Sequence, residues 1–228
     1  MNFFDTDFHC HILPGIDDGA SDLDVSLGLI KTQEAQGVKT IVATPHYRKH
    51  EMSVSTFLRR RQAAYESVIN HAYPGMPKIL LAAEIALEHN LYELEDIDQL
   101  ANAEMNTLLL EFPFTTSYRK WMVEEVEEIA YKTRMQIIIA HIDRYVDIFS
   151  ESEINEILSI PDAIFQLNLS AFTERKAKKL AKRLIKDEYP ILFGTDCHNL
   201  KSRKPNFDLL AKNLKKYEPH PRVERLFQ

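Results

Sequence analysis

Two cysteines, Cys10 and Cys197, are all that 228 residues contain. So few exclude a disulfide framework and set a reducing cytoplasm as the expected location. A basic excess is missing too: 28 lysines and arginines stand against 34 aspartates and glutamates, for a net charge of −6. Without surplus cations a protein cannot neutralise a phosphate backbone broadly, so nucleic acid is not an expected partner. No apolar run approaches the ~18 residues of a membrane span. The opening MNFFDTDFHCH has neither the basic start nor the apolar stretch of a signal peptide. Membrane insertion is therefore not expected. Repeats, low-complexity tracts and Gly/Ser linkers are also absent, which leaves a single domain over residues 1–228, long enough for one sizeable core or barrel.

What is present is ordinary in composition, 45% hydrophobic and 27% charged, but alternating in pattern. Seven mostly apolar runs read as buried strands: 6–11 (TDFHCH), 39–46 (KTIVATPH), 78–85 (KILLAAEI), 107–112 (TLLLEF), 136–141 (QIIIAH), 163–168 (AIFQLN) and 190–196 (PILFGTD). Runs apolar on both faces suit a parallel sheet covered by helices. Between them, Ser21-Asp22-Leu23-Asp24 reads as a helix start, Gly37 as its end, with Leu23, Leu27 and Ile30 on one face. Segments 55–72, 119–134 and 173–187 are charged and amphipathic in the same way. Seven strands, each followed by a helix or long loop, predict an α/β barrel, closed or nearly so, with a doubly wound open sheet as the structural rival.

The ends of these runs carry the chemistry. They are His9 and His11, His46, Glu84, Glu111, His141, Asn168, and Asp196 followed by His198. In parallel α/β folds the C-terminal strand ends converge on one face, where active sites form. A single histidine or glutamate at a strand end is most often a surface residue or a cap, and His50, His71, His89 and His220 fit that description. The other five histidines all fall at strand ends. Several carboxylates buried together repel one another unless cations compensate, so the joint pattern points to a multinuclear metal site. Strand alternation turns His9 and His11 to one face and Cys10 to the other, as a packing residue. Nitrogen and carboxylate ligands suit Mn²⁺, Fe, Zn²⁺ or Mg²⁺ without selecting among them.

The stretches DFHCHILPGIDDGASD, GVKTIVATPHYRK, AAEI, LLLEF, IIIAHIDRY and FGTDCHN followed by Arg203 span residues 7–203. In this order they resemble the PHP (polymerase and histidinol phosphatase) superfamily. Within it they resemble the bacterial protein-tyrosine phosphatases of capsule and exopolysaccharide operons, the CpsB/YwqE group. The resemblance implies a distorted seven-stranded (β/α)7 barrel holding three divalent metals, manganese first among them. It implies that His9, His11, Glu84 and Asp196 hold one ion and that Glu84 bridges to a second, held also by Glu111 and His141. Asp18, His46 and His198 would hold the third, with His46 counted among the catalytic residues as well. Asp17 is expected to serve the turn or to support a ligand. Arg144 and Arg203 resemble the phosphate-binding arginines of the group, whereas Arg48 reads as a solvated surface residue. The implied substrate is phosphotyrosine on a protein, a tyrosine autokinase controlling polysaccharide export.

The chemistry so implied is hydrolysis by a hydroxide that bridging metals generate near neutral pH, with arginine forks on the remaining phosphate oxygens. A phenolate leaving group, pKa ~10, needs little proton assistance, and no general acid is assigned. Three rivals have hooks. Cys197 to Arg203 fits the C-x₅-R spacing of cysteine-dependent phosphatases, but the loop between has no glycine, and Asp196 and His198 flank it. Another phosphoesterase activity, such as histidinol-phosphate hydrolysis, uses the same ligand set. A non-catalytic phosphotyrosine-binding barrel would have been expected to lose ligands first.

Overall fold

The computed structural model describes residues 1–114, 117–215 and 217–228. Nine short strands form: β1 (Thr6–Cys10), β2 (Thr40–Ala43), β3 (His46–Tyr47), β4 (Lys78–Leu81), β5 (Glu84–Ala86), β6 (Thr107–Glu111), β7 (Gln136–Ile139), β8 (Ile164–Asn168) and β9 (Ile191–Gly194). Seven helices accompany them: α1 (Leu23–Ala35), α2 (Val54–Ile69), α3 (Trp121–Thr133), α4 (Glu151–Leu158), α5 (Arg175–Lys186), α6 (Asp208–Asn213) and α7 (Pro221–Glu224). None is long and apolar enough to cross a membrane.

Among the described residues all pairs of these strands are parallel. They fall into two sheets, one in the order β1-β2-β4 and one in the order β3-β5-β6-β7-β8-β9, rather than one continuous ring. The seven expected runs became nine strands because two of them break. Between β2 and β3 stands Pro45, which has no N–H to give a ladder, and between β4 and β5 stand Ala82 and Ala83. Backbone bonds carry the pairing across both breaks: Ala82 N–H donates to Ala43 O at 2.9 Å and Glu84 N–H to Pro45 O at 3.1 Å. At the opposite seam, β1 and the segment after β9 meet. Asp196 N–H donates to His9 O at 2.8 Å and His11 N–H to Cys197 O at 2.9 Å.

The helices cover the sheets with apolar faces. On α3, Met122, Val126 and Ile129 are fully buried, each contributing roughly 1.5–3 kcal/mol of burial. α1 starts one residue later than expected: its N-cap is Asp22, whose carboxylate accepts the Val25 N–H at 2.9 Å, not Ser21. Its buried face is Ser26, Leu29, Ile30 and Gln33, with Leu23 and Leu27 only partly covered. α4 was not among the expected helices, although Ser150 and Glu153 form a reciprocal capping box at its start.

Candidate metal centre

β1 is buried along its whole length; the rings of His9 and of His11, just past its end, meet with their Nε2 atoms 3.2 Å apart, while Cys10 Sγ faces Val42 O instead. Gly194 lets this strand approach β9. A Cβ there would stand 2.7 Å from His9 Cβ and 3.0 Å from His9 N, so a side chain at that position would push His9 aside. Gly19 does the same for the turn after β1, where a Cβ would fall 2.4 Å from His11 O.

Nine residues from seven places in the chain meet in this region. Glu84 Oε2, at the start of β5, lies 3.2 Å from His9 Nε2, 3.1 Å from His11 Nε2 and 3.1 Å from His46 Nδ1. Its other oxygen is 2.7 Å from His141 Nε2, which is itself 3.3 Å from Glu111 Oε1. Asp196 Oδ1 stands 3.5 Å from His11 Nε2 and 3.7 Å from His9 Nε2. On the solvent side, Asp18 Oδ1 is 3.3 Å from His46 Nε2 and 3.7 Å from His198 Nε2. Among these nine, three groups have ligand atoms close enough to share an ion: His9, His11 and Asp196; His46, Glu84 and Glu111; and His11, Asp18, His46 and His198; a fourth group, Asp7, Cys10 and Cys197, lies beside them. The grouping differs in detail from the expected one, since His11 and His46 each face two clusters.

The donor chemistry fits cations. His9 Nδ1 faces Gln166 Oε1 at 2.9 Å, and His11 Nδ1 faces Asp17 Oδ2 at 2.7 Å. Both partners are acceptors, so in the neutral rings Nδ1 carries the hydrogen and Nε2 a lone pair. The two Nε2 atoms then oppose each other at 3.2 Å with carboxylate oxygens around them. Lone pairs and carboxylates without protons between them repel, and a cation is what such a cluster accommodates. Glu84 Oε2, Asp196 Oδ1, His46 Nδ1, His141 Nδ1 and His198 Nε2 are buried with no hydrogen-bond partner.

Without an ion, protons supply the positive charge: Asp17 and Glu84 outweigh burial and hold the pKa of His11 well above the usual imidazole range, and although burial alone would raise Glu84, His9, His11 and His141 hold it well below the usual carboxylate range. Burial drives His198 down to about 3, helped by the charge of His11 and by Arg203, so its ring stays neutral and available as a ligand. His141 and Asp196 hold left-handed backbone conformations, φ 26° and 50°. For non-glycine residues this costs of order 1–3 kcal/mol, and such strain concentrates at functional sites.

Arg203 Nη2 lies 2.8 Å and Arg144 Nη1 3.4 Å from the same oxygen, Asp196 Oδ2. Both guanidinium groups line a cavity of about 460 Å³ that opens beside Asp196. Arg144 also stacks over Phe114, 4.4 Å from the ring centroid. Arg48 instead pairs with Glu51 at 3.2 Å on the surface. Cys197 is fully buried on the far side of the strand, next to Cys10 and Gln33. The amides of His198 and Asn199 donate to Arg203 O at 2.9 and 3.2 Å, so they are not free to cradle a phosphate as the C-x₅-R mechanism requires.

Asp17 supports a ligand, as the sequence suggested, by holding His11 Nδ1; the sequence reading missed Gln166 and Asp7. Gln166 Oε1 takes both His9 Nδ1–H and the His141 N–H, the latter at 2.6 Å. Its amide donates to Asn168 Oδ1 at 2.9 Å, and Asn168 donates to Asp196 Oδ2 at 3.1 Å. The signal was a glutamine inside the apolar run AIFQLN, on the same face as Asn168. Asp7, beneath the cluster, accepts Thr195 Oγ1–H at 2.6 Å and ties β1 to the segment after β9.

Comparison with known proteins places this arrangement among relatives. The profile of the family described as "Capsular polysaccharide synthesis, CpsB/CapC" matches residues 5–228. Tyrosine-protein phosphatase CpsB of Streptococcus pneumoniae is 29% identical over 231 residues, covering 90% of this chain and 89% of its own length. Tyrosine-protein phosphatase YwqE of Bacillus subtilis is 27% identical over 210 residues, covering 86% and 78%. A crystal structure from the YwqE and CpsB pair, described as unique metal-dependent tyrosine phosphatases, superposes with a TM-score of 0.71 at 23% identity, over 91% of this chain and 87% of that one. A β-aspartyl dipeptidase from Fervidobacterium islandicum reaches a TM-score of 0.51 at 13% identity, over 97% and 69%. At these identities the two structures speak for the fold alone.

Proposed function

The chain belongs to the CpsB/CapC family of capsular polysaccharide synthesis, and from that premise we propose that it is a metal-dependent phosphatase that hydrolyses phosphotyrosine on proteins. One observation carries the reading: Glu84 Oε2 faces three imidazole nitrogens within 3.2 Å in a buried cluster. His9, His11, Glu84 and Asp196 would hold one ion, Glu84, Glu111 and His141 a second, and Asp18, His46 and His198 a third. The mixed set is richer in nitrogen than a usual Mg²⁺ site, which favours Mn²⁺ over Mg²⁺. Bound divalent cations would supply a water-derived nucleophile near neutral pH and offset the negative charge of the phosphoryl group.

The rest is done by side chains. Gln166 and Asp17 keep His9 and His11 in the tautomer that presents Nε2. Arg144 and Arg203 leave Asp196 for the phosphate oxygens as a substrate enters, and their planar forks fix its orientation. Phenolate is a good enough leaving group that no proton donor is assigned. The two sheets act as the staves of one distorted seven-stranded barrel, β2 with β3 and β4 with β5 each counting as one stave, in a single domain over 1–228. The substrate is a tyrosine autokinase of capsule or exopolysaccharide synthesis, met in the reducing cytoplasm that two free cysteines suit.

The test is substrate choice by the metal-loaded protein. A phosphotyrosine peptide should be hydrolysed with a kcat/KM far above that for histidinol phosphate. The reverse order would move the activity to small phosphate monoesters, and hydrolysis of neither would leave a binding barrel.

A further inference from the structure

The strongest charge segregation in the molecule lies outside the metal centre. α5 reads RKAKKLAKRLIK, with seven basic residues and no acidic one. The other 21 lysines and arginines face all 34 aspartates and glutamates, so a helix of +7 sits on a remainder of −13. Folding does not ask for this. Ala177, Leu180, Ala181 and Leu184 bury the apolar side, and any helix-forming polar residues would serve on the other. Like charges recur three and four positions apart, which destabilises a helix. Arg175 and Lys176 occupy the first turn, where the helix dipole disfavours cations, and Glu174 provides no capping bond. Among the described residues, two of the seven have anionic partners: Lys176 with Asp147 at 2.8 Å and Arg183 with Glu151 at 3.3 Å.

Beside this helix is a cavity of about 180 Å³, lined by the apolar Val146, Ile154 and Leu180, by Lys176, Lys179 and Arg183, and by a single acid, Glu151, which pairs with Arg183. Asp147 follows Val146 in the chain, pairs with Lys176, and lines the larger cavity that contains Arg144, Arg203 and Asp196. The 2.8 Å Asp147–Lys176 pair thus stands between the two linings, and we read the smaller hollow and the cavity at Asp196 as two parts of one groove.

We propose that this groove docks an acidic segment of the phosphoprotein substrate, an apolar side chain meeting the apolar lining and flanking carboxylates meeting the basic residues. The inference rests on the phosphatase reading and names what the substrate carries besides phosphotyrosine. A polypeptide fits better than an anionic membrane. The apolar side of α5 is already spent on the core, leaving no face to insert into lipid, and a planar surface would make no use of a groove that includes the cavity at Asp196.

The experiment compares phosphotyrosine peptides carrying a leucine flanked by glutamates, at a series of spacings from the phosphotyrosine, with the same peptides bearing glutamines. The wild type and the variants Lys179→Glu/Lys182→Glu and Lys179→Gln/Lys182→Gln are assayed metal-loaded; Lys179 lines the hollow and Lys182 is its exposed neighbour three positions along the helix. At the best spacing the wild type should prefer the acidic peptide by roughly tenfold in kcat/KM, through KM, as expected of several charge pairs acting together. The preference should shrink as salt rises above ~0.1 M, where the Debye length is about 10 Å. Charge reversal should abolish it and neutralisation should reduce it, with p-nitrophenyl phosphate turnover unchanged in both. Fluorescence anisotropy of the unphosphorylated acidic peptide should follow the same order without any turnover. Equal kinetics and equal binding for acidic and glutamine peptides would overturn docking. So would charge reversal that abolishes only binding to phosphatidylglycerol vesicles, or only self-association. If neither p-nitrophenyl phosphate nor any phosphopeptide is hydrolysed, the phosphatase reading fails by itself, and the anisotropy arm still decides docking.

Discussion

Asp17 Oδ2 lies 2.7 Å from His11 Nδ1 and accepts the backbone N–H of His46 at 3.0 Å. One carboxylate therefore fixes both the tautomer of a ring just past β1 and the start of β3. Outer partners of this kind are typically worth 10- to 100-fold in metal affinity. Asp17→Ala should weaken Mn²⁺ binding by about that much, and Asp17→Asn, which keeps an acceptor, by less. Titration calorimetry on the metal-free protein measures it, and unchanged affinity in the alanine variant would mean that His11 needs no such support.

Cys197 and His198 are neighbours with opposite surroundings, one facing Cys10 and Gln33 and the other the cluster with Asp18. Cys197→Ser is expected to retain most phosphatase activity. His198→Ala and Asp196→Ala are expected to lose nearly all of it. A dead serine variant with intact metal content would return the cysteine mechanism to contention.

Acid should compete with the metal. Burial disfavours the charged ring of His141, but Glu111 and Glu84 outweigh it and raise its pKa to about 9. In the metal-free protein this ring therefore holds a proton below about pH 9, and an arriving ion must displace it. Apparent metal affinity should rise with pH through the neutral range and level off above about 9. Mn²⁺ added to metal-free protein at pH 7 in weak buffer should release protons, seen with an indicator dye. Binding without proton release, or affinity flat in pH, would contradict this picture of the site.

Much of the centre was legible because strand alternation and the convergence of parallel strand ends are strong rules. His9 and His11 had to share a face, and Glu84, Glu111, His141 and Asp196 had to gather at one end. The details that escaped depend on contacts distant in sequence. Pro45 breaks a run that reads as one strand. Gln166 is recognisable as a polar residue in an apolar run, but only the packed structure shows that a single oxygen serves both His9 and His141. The choice of Asp22 over Ser21 as the cap of α1 turned on one residue of phase, which local pattern does not resolve.

Arg144 and Arg203 share Asp196 Oδ2, so removing one leaves the other in place. If they grip phosphate, Arg144→Ala and Arg203→Ala should each keep metal content while kcat/KM falls ten- to a hundredfold, since a charge-assisted bond is worth roughly 1.5–3 kcal/mol. Lysine should rescue only partly, lacking the bidentate fork. Inorganic phosphate should inhibit the variants less than the wild type. Near-wild-type kcat/KM in both alanine variants would leave the phosphate held by metals alone.

The central claim is that this buried cluster holds catalytic cations, and metal stoichiometry measured alongside phosphotyrosine-peptide hydrolysis tests it most directly. The purified protein should contain divalent metal, lose activity as a chelator strips it, and regain activity with Mn²⁺ at least as well as with Mg²⁺. Glu84→Ala, which removes the carboxylate facing four imidazoles, should lose metal and activity together. Full phosphatase activity in metal-stripped protein would contradict the account.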